Sequence, residues 1–275
     1  MKRVSILGCG WLGFPLAKAF IQKGHTVKGS TTRAERLHEL SAAGITPYEI
    51  KAAEGSWVGE NIANFLTCDI LIICIPPGTK RNPLSKHALE VERLMQLIKN
   101  GAFAIKTIIY TSSTSIYKNS NQILSEDAIQ TESDAGNTIL YQAEQAVRNS
   151  SVDNKIIFRL GGLTGYERML ARFFAGKQEL SGGNEPVNLI HRDDVVASIL
   201  YVLEKNSVNT IVNACSPLHP TRRDFYTSLC KRFHLETPHF PVSLDTDWKE
   251  ISSDKLSAMG YAWIYPNPTD YSYTY

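Results

Sequence analysis

The sequence predicts a doubly wound α/β sheet. Three observations carry that expectation: short β-branched runs, helical segments alternating with them, and glycines where those helices end. The candidate strands are residues 4–7, 25–29, 46–50, 69–75, 106–111, 155–160 and 210–214. Several are apolar throughout rather than alternating, as parallel strands covered on both faces require. Between them, segment 12–23 ends at Gly24, 33–43 at Gly44 and 83–100 at Gly101. Each glycine falls where a helix C-cap takes a left-handed residue, and Pro83 suits a first turn. Strand–helix alternation of this kind builds a parallel sheet with helices on both faces.

After Gly161 the pattern changes. Residues 162–190 and 216–275 have fewer apolar runs, more proline and many aromatics, whereas 192–205 reads as an amphipathic helix and 210–214 as one more buried strand. The expected organisation is a sheet domain over residues 1–161 plus 191–215, with a small C-terminal substrate lobe from 162–190 plus 216–275.

Composition excludes several classes. The 275 residues carry 29 Lys+Arg against 27 Asp+Glu, a formal charge of +2. That is too small for a field that gathers nucleic acid or an anionic membrane. No stretch approaches the ~20 unbroken apolar residues of a bilayer crossing. The apolar run at the start is too short for a signal peptide. Five cysteines, odd in number, widely spaced and without a CxxC pair, read as reduced structural thiols and point to the cytoplasm.

Gly8-Cys9-Gly10-Trp11-Leu12-Gly13 is a GxGxxG directly after the first strand and at the opening of the first helix. In that context Gly8 permits a tight turn, Gly10 lets backbone approach a pyrophosphate, and Gly13 lets helix pack on strand. The helix N-terminus favours the negative charge. A dinucleotide is therefore expected on this Rossmann-type loop. An acid at the end of the second strand would hydrogen-bond the adenine ribose of NAD. This chain instead reads Ser30-Thr31-Thr32-Arg33. Three hydroxyls can donate to a 2′-phosphate and Arg33 can clamp it, so NADP is expected ahead of NAD. Pro76-Pro77-Gly78, closing the fourth strand, lies where a turn would flank the cofactor.

The stretch Tyr110-Thr111-Ser112-Ser113-Thr114-Ser115-Ile116-Tyr117 resembles the Ser-Ser-x-x-Val-Tyr-Gly signature of extended short-chain dehydrogenases/reductases, the NAD-dependent epimerase/dehydratase family. Three later segments add to the resemblance: Arg159-Leu160 through Gly165, Ile190-His191-Arg192-Asp193-Asp194, and Ser253-Asp254-Lys255-Leu256 followed by Met259-Gly260-Tyr261. The resemblance implies Ser113 as the catalytic hydroxyl and Tyr141, in a helical stretch 139–149, as the acid/base. It implies hydride transfer at a carbon of a small-molecule substrate, and a homodimer paired through 83–100 and 139–149. Two departures stand out. Leu7 occupies the family's first glycine position, and the family's Tyr-x-x-x-Lys reads Tyr141-Gln142-Ala143-Glu144-Gln145. Gln145 can hydrogen-bond a ribose hydroxyl but supplies no charge, and an unaided tyrosine has a pKa near ~10.

Other residues admit two readings. Glu144 is a second acid/base candidate or a solvated helix carboxylate. His191, Asp193 and Asp194 suit a turn and a helix start better than a metal, for which no ligand spacing is present. Arg168, Arg172, Arg192, Arg222 and Arg223 hint together at an anionic substrate, and singly read as surface charges. Tyr261, Trp263, Tyr265, Tyr271, Tyr273 and Tyr275 line a pocket or pack the lobe. The leading expectation is an NADP-dependent oxidoreductase or epimerase/dehydratase. A catalytically silent NADP-binding sensor is the alternative. The first 75 residues also resemble β-hydroxyacid dehydrogenases, whose nucleotide domain is followed by an all-helical one. The later strands and the Ser113 motif argue against that reading.

Overall fold

The computed structural model describes residues 1–53, 56–78, 85–241 and 246–274. In chain order the first elements are β1 (Arg3–Leu7), α1 (Gly13–Gln22), β2 (Thr26–Thr31), α2 (Leu37–Ala42), β3 (Thr46–Ala53), β4 (Ser56–Gly59), α3 (Ile62–Leu66), β5 (Ile70–Ile73), α4 (His87–Asn100) and β6 (Thr107–Ser113). There follow β7 (Gln122–Leu124), α5 (Thr138–Arg148), β8 (Asn154–Leu160), β9 (Gly162–Thr164), α6 (Ala171–Phe174), β10 (Leu189–His191), α7 (Arg192–Glu204), β11 (Thr210–Ala214), α8 (Arg222–Arg232), β12 (Lys249–Ile251) and α9 (Asp254–Ala258).

Eight strands form one sheet in the order β11-β8-β6-β5-β1-β2-β3-β4. β1 pairs in parallel with β2 on one side and β5 on the other, β2 with β3 and β5 with β6. The order therefore reverses beside β1, the switch point at which open α/β sheets bind ligands. All seven expected strands are present. The eighth, β4, pairs antiparallel with β3, and its Trp57 indole donates to the Glu90 carbonyl of α4 at 2.7 Å.

Helix ends follow the glycines with one exception. Gly24 and Gly44 adopt φ of +78° and +77°. Gly101 stays right-handed at φ −81°, and Ala102 takes the left-handed position at +49°. The Phe103 ring lies where a Gly101 side chain would stand, with its nearest atom 2.2 Å from an ideal Cβ. At Gly101 the absence of a side chain therefore serves the packing of Phe103 and not a left-handed φ. The segment expected as one helix over 33–43 is a 3-10 turn, Ala34–Arg36, running into α2. Pro83 lies outside the described residues, and the helix there begins at His87.

The chain divides into two compact units. The first comprises Met1–Ser112, Thr138–Phe158 and Ile199–Ile211, and the second Ser113–Asn137, Arg159–Ser198 and Val212–Tyr275. The core of the first gathers Leu71, Ile73, Val91, Leu94, Ile108, Tyr110, Ala143 and Val147 between sheet and helices. Within the second, β9 pairs with β10 and β7 with β12, both in parallel. Its core joins Met169, Val187, Phe225, Leu229, Phe240 and Tyr271. Tyr271 is fully buried, with Tyr265 and Tyr273 packed on the same cluster, so these C-terminal aromatics serve packing. Tyr275 lies outside the described residues. Among those residues, no helix is long and apolar enough to cross a membrane.

Candidate functional site

β1 delivers the chain to Gly8, which turns at φ +97°. The Gly8 N–H donates to Ser30 Oγ at 2.9 Å and the Cys9 N–H to the Ser30 carbonyl at 2.7 Å, which fixes the loop to the end of β2. A Cβ at Gly13 would lie 2.2 Å from the Gly8 carbonyl oxygen, so α1 packs directly on the loop. At Gly10 a Cβ would meet nothing within 4 Å, and this backbone can be approached. Leu12 precedes α1 without making a side-chain cap, and the first turn holds no acid. The positive end of α1 is left for an anion. Trp11 is half-buried and Leu12 buried. On the other side of β1, the Cys74 N–H donates to the Leu7 carbonyl at 2.8 Å, and the Gly8 position closes on the Cys74 carbonyl. The turn carrying Pro76 (exposed) and Pro77 (half-buried) therefore begins beside the loop. Burial pushes the Cys9 and Cys74 thiols up to about 12, which leaves both inert.

The end of β2 separates its expected phosphate ligands. Ser30 is buried and its hydroxyl accepts from Gly8, so it holds the loop. Thr31 is buried and its Oγ1 accepts from the Arg33 N–H at 3.2 Å. Thr32 and Arg33 are exposed, with the Arg33 guanidinium 3.8 Å from Glu35. The sequence reading missed Arg36. Its Nη1 donates to the Cys9 carbonyl at 3.0 Å, and its guanidinium is held by Glu39 through bonds of 2.9 and 3.0 Å. A second arginine three positions after Arg33 was the available signal.

Tyr141 and Gln145 lie on α5 in the first unit, both half-buried. The Tyr141 hydroxyl has no hydrogen-bond partner among the described residues. Glu144 corrects the expectation of a solvated carboxylate. It is buried and accepts from Ser112 Oγ at 2.6 Å. The buried stripe of α5 runs Leu140, Ala143, Glu144, Val147, the spacing of one helix face. Glu144 sits on that stripe, and its partner from β6 makes the burial tolerable.

Ser113 belongs to the second unit. Its Oγ accepts from the Ser115 N–H at 3.1 Å and from the Ser115 hydroxyl at 3.0 Å, capping the turn after β6. Beyond it lies a buried network that the motif alone did not reveal. Arg159 donates to the Tyr117 hydroxyl at 2.8 Å and to the Glu126 carbonyl at 3.1 Å. The Tyr117 hydroxyl in turn donates to Asn213 at 2.7 Å, whose N–H donates to the Glu126 carboxylate at 2.6 Å. Burial pushes Tyr117 up to about 12 although Arg159 works against it.

The arginines divide. Arg222 is held by the Ser181 carbonyl and Glu185, and Arg223 by the Phe240 carbonyl. Arg192 lies over the Tyr166 ring at 4.2 Å, while the Tyr166 hydroxyl donates to Asp193 at 2.6 Å. Burial draws the Arg168 pKa down, the Glu167 charge works against that, and the Arg192 charge adds a smaller lowering. Asp194 is buried and accepts from the Tyr261 hydroxyl at 2.7 Å and from the N–H groups of Ile264 and Tyr265 at 2.9 and 3.0 Å. It anchors the C-terminal segment. His191 Nδ1 accepts from the Asp193 N–H at 3.2 Å and fixes the turn, as expected.

Protein YeeZ of Escherichia coli K12 is 32% identical over 272 residues, covering 98% of both chains. The chain belongs to the YeeZ family. The family model for the NAD binding domain of 6-phosphogluconate dehydrogenase matches residues 3–135. That agrees with the β-hydroxyacid-dehydrogenase likeness of the N-terminal part, and β8 and β11 then continue the same sheet beyond the match. Among solved structures, the Bacillus cereus UDP-glucuronic acid 4-epimerase in complex with UDP-glucuronic acid and NAD superposes with a TM-score of 0.76 at 14% identity, covering 98% of this chain and 96% of that one. The human epimerase family protein SDR39U1 with NADPH gives 0.69 at 16% identity, covering 97% and 96%. Both share the fold.

Proposed function

We propose that this chain is an NADP-dependent oxidoreductase or epimerase/dehydratase-like enzyme of the cytoplasm, acting by hydride transfer on a small polar substrate. The observation that carries the reading is the glycine loop. It combines an open backbone at Gly10 and an uncapped α1 with Thr32, Arg33 and Arg36 in the segment that follows β2. Gly8, Gly10, Trp11, Leu12 and Gly13 would hold the pyrophosphate, with Pro76 and Pro77 alongside. Arg33 would take the 2′-phosphate with Thr32, and Arg36, braced by Glu39, stiffens that corner. Ser30 keeps the loop closed from beneath. NADP, when bound, supplies the hydride acceptor or donor. Tyr141 is assigned the proton at the substrate oxygen, Ser113 a hydrogen bond to that oxygen, and Gln145 a hydrogen bond to a ribose hydroxyl. Arg168 and Arg192 would favour an anionic substrate group.

Calorimetric titration of the purified chain with NADPH and NADH tests the reading. NADPH should bind in the micromolar range and ahead of NADH, and Arg33→Ala should cost NADPH about tenfold while sparing NADH. Equal affinity for both cofactors, or none for either, sinks it.

A second reading is favoured by Gln145, which puts a neutral amide one helical turn from Tyr141. In it the chain binds NADP without turnover. Tyr141→Phe separates the two, since a catalytic tyrosine gives a loss of about 100-fold or more in rate at unchanged NADPH affinity.

A further inference from the structure

We propose that a groove in the second unit binds the uncharged pyranose ring of a saccharide. This goes beyond the cofactor reading and does not depend on it. The groove has a volume of about 670 Å³ and is lined by Asn121, Asn184, Glu185, Thr246, Asp247 and Trp248. No basic side chain is among these six. One is an indole, and the other five carry hydroxyl, carboxamide or carboxylate groups.

The wall holding Trp248 is rigidly built. Asn121 stands at φ +56° immediately before β7. Its N–H donates to the Trp248 carbonyl at 2.8 Å, its Oδ1 accepts from the Trp248 N–H at 2.8 Å, and its Nδ2 donates to Asp247 Oδ1 at 3.0 Å. One side chain thus sets both Asp247 and Trp248. The β7–β12 pairing starts at the next position, Gln122 opposite Lys249. Asn188 braces β12 through the Lys249 carbonyl at 2.7 Å and the Ile251 N–H at 2.8 Å. Glu185 enters the groove from a turn closed by its N–H on the Gly182 carbonyl at 3.1 Å, with Arg222 at 3.4 Å from its carboxylate.

The chemistry selects the ligand. A carboxylate fixed through one oxygen accepts ring hydroxyls through the other, and a carboxamide serves adjacent hydroxyls as donor and acceptor together. An indole gives the apolar C–H face of a pyranose a flat platform. A phosphate or carboxylate group would meet the Asp247 carboxylate at this wall, whereas the Glu185 carboxylate is paired with Arg222 at 3.4 Å. The groove therefore suits a neutral hydroxyl-rich ring.

Saturation-transfer NMR on the full chain with a panel of methyl glycopyranosides, up to about 50 mM, tests this, together with the corresponding sugar 6-phosphates. At least one neutral pyranoside should bind with a millimolar Kd and show transfer to its ring C–H protons. Trp248→Ala should weaken it about tenfold and Asp247→Asn several-fold, with each 6-phosphate weaker than its parent. Should Trp248→Ala lower the melting temperature, Trp248→Phe keeps a ring platform and Asp247→Asn carries the test. No binding by any neutral sugar overturns the proposal. So does binding indifferent to both substitutions, or tighter binding of the phosphates. NADPH titrated in parallel reports on the cofactor reading alone, because none of these residues belongs to the glycine loop.

Discussion

Gly10 and Gly13 stand three residues apart in one loop yet ask different things of a side chain. At Gly13 the obstacle is the Gly8 carbonyl, 2.2 Å from an ideal Cβ, and backbone cannot swing aside. Gly13→Ala should lower stability by about 1–3 kcal/mol, read by urea unfolding, and take NADPH binding with it. At Gly10 the space is open. Gly10→Ala should leave stability within about 0.5 kcal/mol and still weaken NADPH about tenfold, because the new methyl stands where the pyrophosphate comes close. Wild-type affinity in Gly10→Ala would remove the proposed path of the cofactor over this loop. The loop was legible because its glycines are demanded by local geometry. The partners of its neighbours were not. Nothing local shows that Ser30 turns inward to Gly8, or that Glu144 lies on the buried stripe of α5 opposite Ser112, since both depend on what another element brings.

Between elements, α4 and β6 are joined by a buried pair. His87 Nε2 lies 2.6 Å from the Tyr110 hydroxyl, and His87 Nδ1 has no hydrogen-bond partner among the described residues. Burial lowers the His87 pKa to about 4. The folded state therefore holds this imidazole neutral, while the unfolded chain takes up a proton near pH 6.5. Above that pH the pair contributes its full stability. As the pH falls from about 6.5 to about 4 the unfolded state binds more protons, and roughly 2–4 kcal/mol is lost. Urea midpoints at pH 7.5 and 5 should show this slope, and His87→Gln should flatten it. An unchanged slope would assign the pH dependence elsewhere. Element boundaries show the same division between local and tertiary causes. Seven strands are legible as apolar runs. The eighth, β4, is four residues long with Val58 exposed, and it is placed by the Trp57 bond to α4 rather than by a pattern of its own. The left-handed position after α4 falls at Ala102 rather than Gly101, and the Phe103 ring lies over Gly101.

For the molecule as a whole, the division into two units separates the expected effects of cofactor and of core mutation. A ligand that binds only the folded state stabilises it by RT ln(1 + [L]/Kd), about 2.7 kcal/mol at 100 times Kd. The glycine loop, β2 and the Cys74–Gly78 turn all belong to the first unit. Hydrogen exchange should therefore slow with NADPH chiefly across β1, α1 and β2. Asp194 belongs to the second, where three donors converge on its buried carboxylate. Asp194→Ala strands those donors at a cost of roughly 3–5 kcal/mol, and exchange should rise from α9 through Tyr271 as the C-terminal segment loses its anchor. NADPH affinity should stay within about twofold, since the substitution touches no residue of the loop. Exchange that rises equally through β1 and α1, or NADPH protection spread evenly over both units, would show that the two open together and that the separation by contacts has no counterpart in stability.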